Sequence, residues 1–153
     1  MPRAVRLRRL GYRAAFAGLR TWWAVRRPHT RGVKCILRRD GGEVLFVRHT
    51  YGGGEWELPG GSPRPREPPA DTARREGREE LGIDLDWAPV GLTEAGGDGK
   101  TTTLYAFTAQ VRDGADLRIT PVEIAEARWA PPGAPPQPLG RDAPAVLALL
   151  ARR

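Results

Sequence analysis

Three glutamates stand close together in the middle of this 153-residue chain. Glu79 and Glu80 follow Glu76 by three and four positions, and residues with that spacing share one face of an α-helix. Carboxylates held this close repel one another, which makes the arrangement a poor choice for an inert surface. A bound divalent cation reverses that cost, because hard cations such as Mg²⁺ prefer oxygen ligands. The spacing therefore predicts a metal site carried by a helix.

Residues on both sides of these glutamates extend the pattern. Gly61 is followed after five residues by Glu67, and after seven more by the run REGREELGI, residues 75–83. The stretch resembles the signature box of the Nudix hydrolases, Gx5Ex7REUxEExGU, in which U is an aliphatic residue. Eight of the nine specified positions match; Gly77 departs, because the family has a bulky apolar residue there. The preceding segment WELPGG, residues 56–61, is also typical of the family.

The resemblance implies a fold and a reaction. The fold is an α/β/α sandwich with a mixed β-sheet, in which the box forms a loop, a helix and a second loop. The reaction is Mg²⁺- or Mn²⁺-dependent hydrolysis of the pyrophosphate linkage in a nucleoside diphosphate derivative. Chemistry favours the same reading, since metal ions neutralise a pyrophosphate that would otherwise repel an anionic nucleophile. A binding module that senses a nucleotide without cleaving it is the alternative from another class.

Within the box, the resemblance implies a role for each matched residue. Glu79 and Glu80 are the favoured metal ligands, whereas Glu67 supports the site or contacts the metal through water. Arg75, a candidate catalytic residue together with Glu79, orients a box glutamate through a salt bridge. The full set of candidate metal ligands, including the carbonyl of the glycine, is Gly61, Glu67, Glu76, Glu79 and Glu80.

One more acid outside the box is expected, because many members of this family use one as a general base or extra metal ligand. In similar relatives it lies in a loop six residues before a tryptophan that begins a late strand. Glu123 stands six residues before Trp129 and is the favoured catalytic candidate. Glu126, which would then start the strand, is the second candidate, and Glu94 is the third.

Arginines near the box are the candidates for binding substrate phosphates. Arg64 and Arg66 lie in the box loop, which borders the active site in this family, and Arg48 ends a predicted strand. Three aromatic side chains are candidates for stacking on a base, although each also suits a core or surface position: His49, Tyr51 and Trp87.

Turn signals and apolar patterns predict the elements around the box. The box helix begins at Pro68 or Pro69, since proline is tolerated in a first turn, and ends at Leu81 with Gly82 as cap. We expect Trp87, or a tryptophan of the N-terminal segment, to fill the space left by Gly77. The remaining predicted elements are strands over 33–38, 43–48, 87–94 and 102–111, a loop running into a strand over 123–129, and a terminal helix over 143–150.

The N-terminal residues 1–31 differ from the rest of the chain. They contain nine arginines and no acidic residue, whereas residues 32–153, the predicted Nudix domain, carry 16 basic and 18 acidic residues. Residues 3–27 are predicted to form a basic amphipathic helix whose stripe is Tyr12, Phe16, Leu19 and Trp23. Three interpretations remain open: packing on the domain, contact with an anionic membrane or a polyanion, or a leader segment. An RNA 5′-pyrophosphohydrolase whose arginines engage the RNA backbone is the corresponding alternative function.

The composition bears on the expected location of the protein. No run approaches the ~20 apolar residues that span a bilayer. Cys35 is the single cysteine, so the chain cannot form an internal disulfide, and we expect this residue in the core. These features predict a cytoplasmic protein, and a homodimer is a further expectation.

Overall fold

The computed structural model describes residues 3–26, 29–97 and 99–152. Over these residues the chain forms three helices and seven strands, in this order: α1 (Arg3–Arg26), β1 (His29–Arg39), β2 (Val44–His49), β3 (Trp56–Glu57), β4 (Gly60–Gly61), α2 (Pro69–Leu81), β5 (Ala88–Gly97), β6 (Lys100–Val111), β7 (Ile124–Ala130) and α3 (Ala143–Ala151).

The strands form one mixed sheet in which β1 and β2 each pair with three other strands. The strand order along the main path is β3-β2-β1-β6-β5, while β4 also pairs with β1 and β7 with β2. β1 runs parallel to β6 along its whole length, and the other pairings are antiparallel. Gly60 and Gly61 pair with Lys34 and Val33, whereas β2 joins β1 only near Arg38. The first half of β1 therefore carries the start of the box.

Apolar side chains alternate along β1 because successive side chains of a strand point to opposite faces. Val33, Cys35 and Leu37 belong to the core beneath α2. Ile36 belongs to the core on the other face, where Val146 of α3 packs. Helices thus cover both faces of the sheet, which confirms the predicted α/β/α sandwich, and the buried Cys35 is a core residue as expected.

The box helix has the predicted bounds. α2 begins at Pro69, and Gly82 caps its end in the left-handed conformation with φ 65°. Trp87 occupies the space beside Gly77: a Cβ built on this glycine would lie 3.1 Å from the indole Cζ2 and Nε1 atoms. The expectation that an aromatic residue replaces the missing side chain is therefore confirmed, with Trp87 in that place.

Three strands start earlier than predicted, one of them β6, which begins at Lys100 and not at Thr102. β1 begins at His29 and not at Val33, so it lies across the predicted boundary between residues 31 and 32. Its first residues are polar and carry no apolar signal, but they pair in parallel with Thr101 and its neighbours in β6. β7 begins at Ile124, so Glu126 lies inside the strand and does not start it.

The predicted N-terminal helix is present as α1, and its aromatic stripe packs on the domain in part. The rings of Tyr12 and Phe16 contact the ring of Tyr51, with centroid distances of 6.1 and 5.3 Å. Leu19 is 43% exposed and Trp22 on the neighbouring face is 50% exposed. The side chain of Trp23 lies outside the described residues. No helix in the described part of the chain has the length and apolarity needed to cross a bilayer.

Candidate active site

Two consecutive glycines bring the chain into contact with the box glutamates. Gly60 has φ 143°, and a Cβ on it would lie 2.1 Å from the carbonyl oxygen of Val33, so only glycine fits. The amide of Gly60 donates to Oε2 of Glu80 at 2.9 Å. A Cβ on Gly61 would lie 2.3 Å from Oε1 of Glu76. The backbone of β4 therefore packs directly against two carboxylates.

Burial places these two carboxyl groups in an unusual electrostatic state. Glu80 is 1% exposed and Glu76 is 7% exposed. Burial, followed by the charge of Glu76, raises the pKa of Glu80 to about 8. Burial also raises the pKa of Glu76, although Arg75 opposes the effect. Protein without a cation therefore carries the electrostatic cost of adjacent buried acids, and a divalent cation would remove it.

This cost predicts a stability that depends on pH. With a chelator present, we expect the free energy of unfolding to fall by about 1.5 kcal/mol between pH 6.5 and 8. In this range folded Glu80, with its pKa of about 8, holds a proton that the unfolded chain has already released. Because only the native state binds this proton, the free energy of unfolding falls as pH rises. Urea unfolding, followed by circular dichroism at each pH, measures this free energy.

The choice of range matters because His49 acts in the opposite direction at lower pH. Burial lowers the pKa of His49 from 6.5 to about 4, so stability falls as pH drops below 6.5. Glu80→Gln removes the titrating group and should flatten the profile above pH 6.5. An equally steep profile in that variant would assign the effect to a different residue.

Arg75 holds the box loop and the box helix together. Its guanidinium forms a two-pronged contact with Glu67, with Nε–Oε1 and Nη2–Oε2 distances of 2.9 Å. Nη1 donates to Oε1 of Glu76 at 2.6 Å and to Oε2 of Glu79 at 3.0 Å. Nη2 also donates to the carbonyl of Ser62. The salt bridges expected of this residue are present, and they raise its pKa further above its usual value.

Glu67 is the anchor of this network. Besides Arg75, its carboxylate accepts from the amide of Arg64 at 2.8 Å and from the hydroxyl of Thr72 at 3.1 Å. Hydrogen bonds from Arg75, then from the Arg64 amide, lower the pKa of Glu67 to about 2. A carboxylate with four donors around it has little capacity left for a cation. These contacts fit the predicted role of Glu67 as a residue that holds the site together, and they do not favour direct metal ligation.

A loop from late in the chain closes onto the end of the box helix. The last carbonyls of a helix lack partners within it. Here the amide of Thr120 donates to the carbonyl of Glu80 at 2.9 Å, and the Thr120 hydroxyl donates to that of Glu79. The amide of Arg118 donates to the carbonyl of Leu81 at 2.9 Å. Sequence reasoning missed Thr120, because no local pattern shows which distant residue satisfies a helix end.

This loop carries Glu123 to the box. The backbone carbonyl of Glu123 accepts a hydrogen bond from the amide of Thr50 at 2.8 Å. The negative charge of the Glu123 side chain contributes to the raised pKa of both Glu76 and Glu80. Glu126 instead forms an ion pair with Arg48 across β2 and β7 at 3.2 Å. Of the two late acids, the structure brings Glu123 near the box carboxylates.

Oxygen donors of this kind suit Mg²⁺ or Mn²⁺. Within residues 3–26, 29–97 and 99–152, no three acidic, histidine or cysteine side chains stand in a metal-ligating arrangement. Glu76 and Glu79 both contact Arg75, so ligation by either carboxylate competes with an ion pair. Glu80 accepts from the Gly60 amide and stays close to Glu76. The donor type, carboxylate oxygen, fits a divalent cation, whereas the present side-chain positions of Glu76 and Glu79 are those of ion pairs with Arg75.

A cleft of about 540 Å³ opens beside β4, and Gly60 and Gly61 form part of its wall. Lys34 lies within it and pairs with Glu57 at 2.5 Å. The lining also includes two of the aromatic candidates, four more cations and three acids: His49, Tyr51, Arg20, Arg31, Lys100, Arg141, Glu55, Glu57 and Asp142. The cations of the lining outnumber its acids, and Glu76 and Glu80 lie behind the two glycines of the wall, so an anionic substrate in the cleft can approach the candidate cation site.

The structure separates the three arginines predicted to bind substrate. Arg64 contacts Oε1 of Glu79 at 3.0 Å, which keeps it at the box. Arg66 is exposed with a φ of 64° and is not among the described residues that line the cleft. Arg48 also lies outside that lining, since it stacks 4.5 Å from the ring centre of Trp56 and pairs with Glu126. Strand alternation explains its place, because His49 takes the cleft side of β2.

Known proteins resemble this chain in sequence and in fold. A family model described as the NUDIX domain matches residues 28–150. A Mycobacterium tuberculosis protein named "Putative 8-oxo-dGTP diphosphatase 3" is 34% identical over 100 residues, which cover 60% of this chain and 46% of that protein. An ADP-ribose pyrophosphatase of the same species is 42% identical over 74 residues, 40% of this chain and 36% of its own. The matches thus span less than half of either relative.

The fold comparison is more complete. The crystal structure of a MutT NUDIX hydrolase from Burkholderia pseudomallei aligns with a TM-score of 0.71 at 25% identity, covering 80% of this chain and 98% of that one. The signature box, the α/β/α sandwich and the match to the NUDIX domain together define the class of protein. The chain belongs to the Nudix hydrolase family.

Proposed function

We propose that the protein is a Mg²⁺- or Mn²⁺-dependent hydrolase that cleaves the pyrophosphate linkage of a nucleoside diphosphate derivative. The observation that carries this proposal is the pair of buried carboxyl groups, Glu76 and Glu80, packed against the two glycines, Gly60 and Gly61, that line a cleft. The names of the two relatives, a diphosphatase and a pyrophosphatase, support the same reaction class. A single buried cysteine is in keeping with a cytoplasmic location, which we also propose.

Glu76, Glu79 and Glu80 would hold the metal. When bound, the cation would neutralise phosphate charge and make a coordinated water more acidic. Arg75 keeps Glu76 and Glu79 in place on the helix through its two contacts with them. Glu67 in turn keeps Arg75 in place, so the network holds these carboxylates together on the helix before a cation binds.

Glu123 would accept the proton of the attacking water. It is the acid from outside the box whose charge acts on Glu76 and Glu80, and its loop is attached to the box helix through Thr120. A general base of this kind contributes a rate factor of about 10² to 10⁴. Lys100 and Arg141 line the cleft and would face the phosphates.

A substrate panel tests the reaction. We expect the full chain with Mg²⁺ or Mn²⁺ to release a nucleoside monophosphate or phosphate from at least one nucleoside diphosphate derivative or nucleoside triphosphate, and a chelator to abolish turnover. RNA with a 5′-triphosphate belongs in the same panel and tests the RNA alternative. Tight binding of a nucleotide without turnover would contradict the proposal and favour a sensing module.

Replacing Glu123 tests the general base. We expect Glu123→Gln to lower kcat by about 100-fold, because the amide cannot take up the proton. Mn²⁺ affinity, measured by calorimetry, should stay within about threefold of the wild-type value. Glu126→Gln is the matched control and should leave kcat unchanged, since Glu126 pairs with Arg48. A larger loss of kcat in Glu126→Gln than in Glu123→Gln would make Glu126 the general base instead of Glu123.

A further inference from the structure

Helix α1 precedes the matched domain, residues 28–150, but it contacts the candidate active site. The hydroxyl of Tyr12 donates to Oε1 of Glu123 at 2.9 Å. The ring of Tyr12 stacks on Tyr51 with an interplanar angle of 13°. Tyr51 also stacks on His49, which lines the cleft. An aromatic column thus connects α1 to the cleft and to the expected general base.

The contacting residues of α1 lie on one face. Tyr12, Phe16 and Arg20 are spaced by four, so their side chains point in the same direction from the helix. Phe16 and Arg20 both line the cleft, together with the β4 glycines. Trp22, which belongs to another face, is half exposed. The helix therefore turns a defined face toward the cleft.

Contact with Tyr12 has a direct consequence for Glu123. A glutamate in a loop can rotate about its side-chain bonds, and a base is effective only when its oxygen is correctly placed. The Tyr12 hydroxyl occupies Oε1 and leaves Oε2 to accept a proton. The ring that carries this hydroxyl stacks on Tyr51, while Tyr12 is 43% exposed. The arrangement fixes one carboxylate oxygen through a hydroxyl on a stacked ring.

We propose that Tyr12 is a positioning residue for Glu123, so that α1 completes the active site of the domain that follows it. The proposal rests on the proposed function, because it gives Glu123 the task of a base. It assigns α1 a role that does not need membrane or RNA contact: the inner face of the helix is a wall of the catalytic cleft.

The Tyr12→Phe variant tests this role, since it removes the hydroxyl and keeps the stacked ring. We expect kcat to fall about tenfold, the effect of losing one hydrogen bond to a charged group, with KM within about twofold of wild type. Trp22→Phe, on the outer face of the same helix, is the control and should leave both constants unchanged. A purely structural role would not separate kcat from KM in this way.

Combining Tyr12→Phe with Glu123→Gln gives the decisive measurement. If Tyr12 acts through Glu123, adding Tyr12→Phe to Glu123→Gln lowers kcat no further. The same tenfold loss in both backgrounds overturns the proposal, and so does higher activity in Tyr12→Phe, which would make the helix an inhibitor. A wild-type chain that turns over nothing in the panel overturns the proposed function itself, and this is evident before any variant is compared.

Discussion

Replacing Glu80 by glutamine should abolish most of the activity and leave the fold intact. We expect kcat to fall by at least about 100-fold, because the loss of a carboxylate proposed to ligate the metal exceeds the effect of changing an outer partner. The amide oxygen of glutamine can still accept the hydrogen bond from Gly60. The measurement is steady-state hydrolysis at saturating substrate over a range of Mg²⁺ concentrations.

Stability should move in the opposite direction from activity. Glu80 is buried beside Glu76, and glutamine removes one of two acids that repel each other. With a chelator present, the variant should unfold at the same or higher urea concentration than the wild type at pH 8. Added Mg²⁺ should stabilise the wild type more than the variant, because the ion binds the native state of the wild type better.

Glu43→Gln is the matched control for this substitution. Its carboxylate pairs with Arg39 at the turn between β1 and β2, outside the described lining of the cleft. The control should keep full activity and change stability by less than about 1 kcal/mol. If Glu80→Gln retained wild-type turnover, the assignment of the metal site to this helix would be wrong.

Trp87 and Gly77 should behave as one unit in stability. Trp87→Ala removes a buried indole and should lower the free energy of unfolding by about 3–5 kcal/mol. Gly77→Leu restores the family pattern but places a side chain where the indole lies, at 3.1 Å from a Cβ. Overpacking of that kind costs about 1–3 kcal/mol, more than the ~1 kcal/mol that leaving glycine gains in helix propensity.

The double variant decides whether the two residues compensate each other. Gly77→Leu with Trp87→Ala should lose at least about 1.5 kcal/mol less than the sum of the single variants, because leucine fills the space left by the indole. Urea unfolding in the presence of a chelator, followed by circular dichroism, gives the three values. Strict additivity would show that the two side chains do not share this space.

The same contact bears on the alternative of a binding module without turnover. Gly77 is the feature of the sequence that favours this alternative, since the apolar residue that the family has at this position is missing. Trp87 reaches the glycine from outside the box and belongs to the core beneath α2. The departure at position 77 therefore has a structural explanation that leaves the glutamate face complete.

Prediction from sequence was best where the signal is local. The bounds of α2 follow from proline in its first turn and from glycine in the left-handed cap, which neighbouring residues decide. It was poorest where a strand depends on its partner: His29 joins β1 only because β6 lies alongside. The position of Arg48 in the chain predicts that it binds substrate, but the alternation of side chains along β2 places it against Trp56.

The sequence by itself determined the family, the chemistry of the box and the helix that carries it. Spacing of three and four residues places the glutamates on one face of a helix, whatever surrounds it. Only the tertiary structure decided which distant groups surround that helix: Glu123 through its loop, Trp87 beside Gly77, and Tyr12 from α1 through Glu123. Such contacts join residues far apart in the chain, and they depend on how sheet and helices pack, which no local spacing encodes.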